Sequence, residues 1–399
     1  PFGRGRLSMT TTANEKAAKL QGGRRLEVLD GMRGVAATSV LFHHLMVRFA
    51  PPHWPVAIYP YGETFAPLFF LGYAGKFGVL SFFLISGFVI LMTLERSSGL
   101  LDFASRRIAR LVPAMLFCAT ASTLFLNLSD FPLQDETTEF MKVTTFEYIF
   151  SILFIPPSLA AQMLGRPEAQ WVEGVYWTLW AEVRFYALAG MVMLLTPKPK
   201  LAWVWAGVQG FSTIIKLMQI NDLGPDGLMW RISLLVQPNF LCWFTFGMAA
   251  YWAWTGRWSL PVVVSTGFAL VALLAGDVIG GGAAPIENIL LFAAIFAFCS
   301  IIFMDHPYLK VLTWKPVLAV GLASYPLYLF HESVGLVILY ELEQLGVPPL
   351  LTLPLALVFL FGAALGIHKY VENPGKRLIV GLFKPMAARG QTLVPALRF

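Results

Sequence analysis

Between Arg25 and Arg48 the chain runs RLEVLDGMRGVAATSVLFHHLMVR, a mostly apolar stretch of helix length that carries Asp30, Arg33, His43 and His44. About 20 apolar residues span a bilayer core, and an ionisable side chain inside such a span is costly enough to be treated as a functional-site candidate. Helical phase sharpens the choice. Eleven residues separate Arg33 from His44, and at ~100° per residue that is about three turns, so the two share a face ~16 Å apart along the axis. Asp30 falls on the same stripe, and His43 points well away from it. A neutral histidine so placed can take the proton of an attacking hydroxyl. The plainer reading is that His44 sits at the water interface and only anchors the helix end.

Other polar groups recur in apolar surroundings. In DFASRRIARLVP, from Asp102 to Pro113, Arg106, Arg107 and Arg110 occupy one or two helical turns. Arg107 and Arg110 are surface neighbours there, and guanidinium forks at that spacing can hold phosphates bidentately, although arginines at the end of a span also arise from topology alone. Ser86 and Gly87, in FFLISGF, permit close helix packing or open a notch for an acyl chain or pantetheine arm. Glu182 lies two turns inside the span that opens YWTLWAEVRFY, and should face the bundle interior or pair with a cation. Arg184, two residues on, points to another face and is a poor partner for it. Tyr325, Tyr328 and His331 recur every three residues in SYPLYLFHE and can line one side of a cavity.

These groups need a membrane scaffold, and the composition supplies one. Of 399 residues, 57% are hydrophobic and 13% charged, with a mean hydropathy of +0.67, which excludes a soluble globular chain and predicts an all-α polytopic membrane protein. Ten runs are long enough to span: roughly 26–48, 68–93, 109–128, 175–196, 201–219, 231–254, 259–277, 286–304, 317–340 and 348–371. An eleventh, 146–164, is broken by Pro156 and Pro157 and reads as re-entrant or interfacial. With both termini cytoplasmic, most of the 29 lysines and arginines fall on the inner side, opposite acidic loops holding Asp135, Glu136, Glu139, Asp222, Asp226, Glu341 and Glu343, as the positive-inside rule expects. The expected organisation is a tail over 1–25, a membrane domain over 26–371 and a second tail over 372–399. Cys118, Cys242 and Cys299 sit in apolar runs, so neither a disulfide framework nor a metal site is expected.

The motifs LDGMRGVAATSVLFHH, FFLISGF, RRIAR, WTLWAEVRFY, SYPLYLFH and VENPGKR, in this order from Arg25 to about Arg377, resemble the membrane-bound acyltransferase family 3, bacterial integral-membrane O-acyltransferases that decorate polysaccharides, lipooligosaccharides and other secreted glycans. The resemblance implies that His44 is the catalytic histidine, that Arg33 belongs to the same motif, and that Arg107 and Arg110, with Arg106 beside them, lie near the site of an acyl-coenzyme A donor. It also implies active-site roles for Ser86, Glu182 and His331. Thr178 replaces the serine common after the tryptophan but keeps the hydroxyl. The extracytoplasmic hydrolase-like domain fused to some relatives is not expected, so the membrane domain would acylate its acceptor directly.

The expected function is therefore transfer of an acetyl group from acetyl-coenzyme A, the donor substrate, to a hydroxyl of a glycan or glycolipid at the bacterial inner membrane. No tightly bound cofactor and no nucleic-acid partner are expected. Glu182 or His331 would orient His44 or support its charged form, and transfer proceeds either directly or through an acyl-histidine. The competing class is a proton-coupled secondary transporter or flippase, which intramembrane Asp, Arg, His and Glu would also suit, although corresponding halves and paired broken helices are lacking.

Overall fold

The computed structural model describes residues 27–48, 59, 61, 64, 69–129, 142–221, 227–275, 285–304 and 307–393. The tail over 1–25 and the acidic positions Asp135, Glu136, Glu139, Asp222 and Asp226 lie outside the described residues. Among the described residues every regular element is a helix. Helix α1 (27–43) runs into a π turn at His44–Arg48. There follow α2 (Phe69–Arg96), α3 (Leu100–Leu128), the short pair α4 (Thr145–Ile152) and α5 (Pro157–Met163), then α6 (Trp177–Leu195), α7 (Leu201–Ile220), α8 (Gly227–Val236) and α9 (Leu241–Trp254). The chain continues through α10 (Leu260–Leu273), α11 (Pro285–Phe303), α12 (Lys315–Leu322), α13 (Ser324–Gln344), α14 (Pro349–Ile367), a π turn at His368–Glu372 and α15 (Asn373–Leu393).

Among the described residues, five helices are long and apolar enough to cross a bilayer, or up to eight if each bent pair is one span. The chain is thus an all-α polytopic membrane protein. Three apolar runs are interrupted for visible reasons. The run 146–164 folds back by 114° between α4 and α5, where Phe154 takes φ 58° just before the two prolines that cannot continue a helix. The run 231–254 is split into α8 and α9 at Gln237, which takes φ 48° ahead of Pro238. The run 317–340 is not one straight span: α12 and α13 meet at 72°.

Small residues bring the central helices together. A Cβ on Gly87 would lie 2.1 Å from the Phe244 carbonyl oxygen, and one on Gly247 would lie 2.1 Å from that of Leu84, so α2 and α9 touch backbone to backbone. Without water to drive them together, membrane helices associate through such close packing. Phe185 stacks on Phe244 at 4.1 Å and 13°, which adds α6 to the pair. A buried polar chain, Trp205 Nε1 to Thr245 Oγ1 (3.1 Å) and Thr245 Oγ1 to Gln209 Oε1 (2.7 Å), links α7 to α9. These contacts fix α2 and α6 side by side, and Ser86 and Glu182 meet across that seam.

Candidate active site

The polar groups gather in two linked clusters. The first surrounds an interior cavity of about 80 Å³ lined by Arg33 of α1, Ser86 of α2, Arg107 and Arg110 of α3, Glu182 of α6 and Tyr328 of α13, among others. Ser86 Oγ donates to Glu182 Oε1 at 2.5 Å, and Tyr186 donates its hydroxyl to the same oxygen. Arg33 pairs with Asp30 at 2.9 Å, one turn away on the stripe that helical phase predicts. Arg110 pairs with Glu372 and lies over the Tyr325 ring at 5.3 Å. Arg107 lies over Tyr186 at 5.9 Å, and its Nε is a buried donor with no acceptor among the described residues. Arg106 is more exposed and pairs with Asp102 at 2.8 Å.

Arg107 and Arg110 also border a second, larger space. It is a groove of about 750 Å³ between the start of α3 and α15, so these two arginines border both the basic groove and the interior cavity.

The second cluster holds the histidines. His331, 1% exposed, places Nδ1 2.9 Å from the Tyr328 carbonyl and 3.2 Å from that of Leu327. Both are acceptors only, so Nδ1 carries the proton of the neutral ring and donates it there. His331 Nε2 must then accept, and it lies 2.9 Å from His44 Nδ1, which therefore donates. That assignment leaves His44 Nε2 as the free basic nitrogen, the atom a general base requires. Glu332 Oε1 is 3.8 Å from it and 3.7 Å from Arg48 Nε. The other oxygen, Glu332 Oε2, accepts the Val175 N–H at 2.9 Å. The neighbouring Glu173 is fully buried and takes donors from Ser122 Oγ (2.5 Å) and the Ser333 N–H (2.8 Å).

Tyr328 joins the clusters. It lines the cavity, shares a hydrogen bond with Thr178 Oγ1 at 2.9 Å, and its ring lies 5.7 Å from that of His331. His331 is one helical turn further along α13, ~4.5 Å in rise.

The expected site residues thus divide. His44 and His331 meet as expected. Glu182 does not reach either histidine; its donors are Ser86 and Tyr186, and it belongs to the cavity with Arg33 instead. Arg184 turns away from Glu182, donating to the Leu234 carbonyl at 2.5 Å. His43 faces α2, where a Cβ on Gly75 would lie 2.5 Å from its ring. Sequence reasoning assigned no role to Glu332, Glu173 or Glu372. Adjacency to His331 and the VENPGKR motif were the available signals for Glu332 and Glu372, whereas Glu173 lies just ahead of an apolar run and looks like a loop residue.

Comparison with known proteins identifies the family. A family model described as acyltransferase domain, acyltransferase family 3, matches residues 26–368. The O-acetyltransferase OatA of Staphylococcus aureus (strain NCTC 8325 / PS 47) is 24% identical over 367 residues, covering 82% of this chain and 53% of that protein. An O-acetyl transferase of Shigella phage Sf6 is 27% identical over 256 residues, covering 63% of this chain and 70% of that protein. The chain spans about half the length of the Staphylococcus relative. No solved structure matches it. The matched region contains both polar clusters and the arginines bordering groove and cavity, and this chain belongs to the acyltransferase family 3 of membrane proteins.

Proposed function

We propose that this protein is a membrane O-acetyltransferase that moves an acetyl group from acetyl-coenzyme A to a hydroxyl of a surface or secreted glycan or glycolipid, with His44 as general base. One observation carries the reading: Arg107 and Arg110 border both the basic groove and the interior cavity, and that cavity reaches Tyr328, one turn from the His331–His44 pair. In this reading the basic end is cytoplasmic, as the positive-inside rule expects, and the protein lies in the bacterial inner membrane with both termini inside. The donor's phosphates then sit in the groove while its pantetheine arm enters the cavity.

In the reaction, His44 Nε2 takes the acceptor hydroxyl proton as the oxygen attacks the thioester carbonyl carbon. The tetrahedral adduct collapses by breaking the carbon–sulfur bond, and the imidazolium returns its proton to the departing thiolate, giving an O-acetyl ester and coenzyme A. His331 holds His44 in the required tautomer through the 2.9 Å contact, and Glu332 supports the imidazolium. Thr178 donates to the Val175 carbonyl and takes the Tyr328 hydroxyl proton in turn, so Tyr328 becomes a donor for the oxyanion by turning that proton from Thr178 to the substrate. Arg33, together with Ser86 and Tyr186, keeps the Glu182 carboxylate satisfied inside the cavity.

The test is mass spectrometry of surface glycans from cells with and without the chain. A gain of one acetyl unit that vanishes with His44→Ala and persists with His43→Ala is the expected result. An unchanged glycan mass, or equal loss in the two variants, overturns it.

A further inference from the structure

The groove beside the arginines is built from two separate parts of the chain. One wall is the end of α2 and the start of α3, with Arg96, Arg107 and Arg110; the other is α15, with Lys376, Arg377 and Lys384. Arg106 lines the groove as well, and of these seven cations only Arg106, with Asp102, and Arg110, with Glu372, have a carboxylate within ion-pair distance among the described residues. Five like charges facing one groove of about 750 Å³ repel one another, and an anion bearing several charges would relieve that.

Helix α15 is held against α3 by specific contacts. Glu372, in the π turn before it, bonds both Arg110 and His368. At Gly375 the helix backbone comes so close to Pro113 that a Cβ would lie 2.5 Å from the proline ring. Arg377, Val380, Gly381 and Lys384 all line the groove, and their spacing of three, one and three residues makes a single helical stripe. Leu378 and Leu382, 64% and 61% exposed, form a separate apolar strip. That division is the amphipathic pattern of a helix lying at a membrane interface, here with its basic side turned to the groove. The family match ends at residue 368; Lys376 and Arg377 belong to the VENPGKR motif just after it, and Lys384 lies beyond both.

We infer that α15 completes a polyphosphate site, in which Lys376, Arg377 and Lys384 bind the ribose phosphate and diphosphate of the donor nucleotide opposite Arg107 and Arg110. This rests on the donor reading above and adds a second wall to it. The chemistry required is that of a phosphorylated adenosine nucleotide: several phosphate oxygens close together, each able to accept from a guanidinium or ammonium.

Isothermal titration of adenosine 3′,5′-bisphosphate into the purified full chain in zwitterionic detergent tests the inference. The bisphosphate carries the donor's ribose 3′-phosphate and the first phosphate of its diphosphate, without the pantetheine arm. The triple variant Lys376→Gln, Arg377→Gln, Lys384→Gln should bind it about tenfold to a hundredfold more weakly, and added salt should narrow the difference. A melting curve checks folding, and Lys384→Gln alone, two turns from the anchored end of α15, serves if the triple variant does not fold. Unchanged affinity in a folded variant, with the wild type binding, overturns the inference and leaves the donor reading standing. A wild type that binds neither the bisphosphate nor acetyl-coenzyme A overturns the donor reading itself. Unchanged nucleotide affinity with reduced partitioning into phosphatidylglycerol vesicles assigns these cations to lipid phosphates instead, which also overturns the inference.

Discussion

Replacing Glu332 by glutamine removes one negative charge from the histidine pair while keeping an oxygen for the Val175 N–H. The carboxylate lies 3.8 Å from His44 Nε2, and Coulomb's law at an effective dielectric of about 20 gives roughly 4 kcal/mol between a unit charge and an imidazolium at that distance. Arg48 Nε, 3.7 Å from the same oxygen, cancels part of that field, and its side chain is more than half exposed, so water screens it further. Taking about half of the Coulomb energy leaves ~2 kcal/mol of support for the charged histidine in the transition state, or about thirtyfold in kcat. The assay is release of coenzyme A from acetyl-coenzyme A by the purified protein in liposomes supplied with an acceptor. Because Glu332 lines neither the groove nor the cavity, KM for the donor should stay near the wild-type value. A Glu332→Gln variant that folds and keeps kcat within twofold of wild type would refute the electrostatic role.

Glu182→Gln keeps an oxygen for one of the two hydroxyl donors and loses the anion facing Arg33, so turnover should fall several-fold with little change in melting temperature; a wild-type rate would reduce this carboxylate to a packing contact. Arg107→Ala with Arg110→Ala should raise KM for acetyl-coenzyme A by one to two orders of magnitude, about the loss of two charge-assisted contacts, and higher salt should mimic part of it; titration with the donor checks this, and unchanged affinity would leave these arginines a topological role. Gly87→Ala would drive a methyl group into the Phe244 carbonyl, 2.1 Å away, and should cost about 1–3 kcal/mol or more through forced separation of α2 and α9. A lower melting temperature in size-exclusion thermal scans is the expected readout, and a stable Gly87→Ala protein would show that the seam can open.

Much of the bundle was legible because the signals were local. Apolar run length located the helices, and helical phase alone separated His44, which meets His331, from His43, which faces α2. The same phase put Arg33 beside Asp30. The prolines at 156, 157 and 238 mark where runs break. The bend after Leu322 has a marker too, Pro326, which has no N–H for the Leu322 carbonyl and crowds it with its ring, but the 72° angle was out of reach. Pairings between distant segments were equally out of reach. Glu182 finds Ser86 across 96 residues and Glu332 finds Val175 across 157, and nothing in either local pattern names the partner. Glu332 was also hidden by its neighbour, since one residue along a helix turns ~100° and a cavity-facing stripe through His331 leaves it off the face.

The 72° bend between α12 and α13 has an electrostatic consequence of its own. A new helix starts at Ser324 within the bundle, and Ser324 and Tyr325 line the cavity. The first turn of a helix carries a partial positive charge of about half an electron, because its N–H groups have no partners within the helix. That backbone charge adds to Arg33, Arg107 and Arg110, while Glu182 is the carboxylate lining the same space. In the proposed reaction the sulfur that leaves carries a full negative charge until it is protonated, and it leaves through this cavity. The fold would therefore lower the energy of the leaving group with a dipole that no substitution of a side chain can remove.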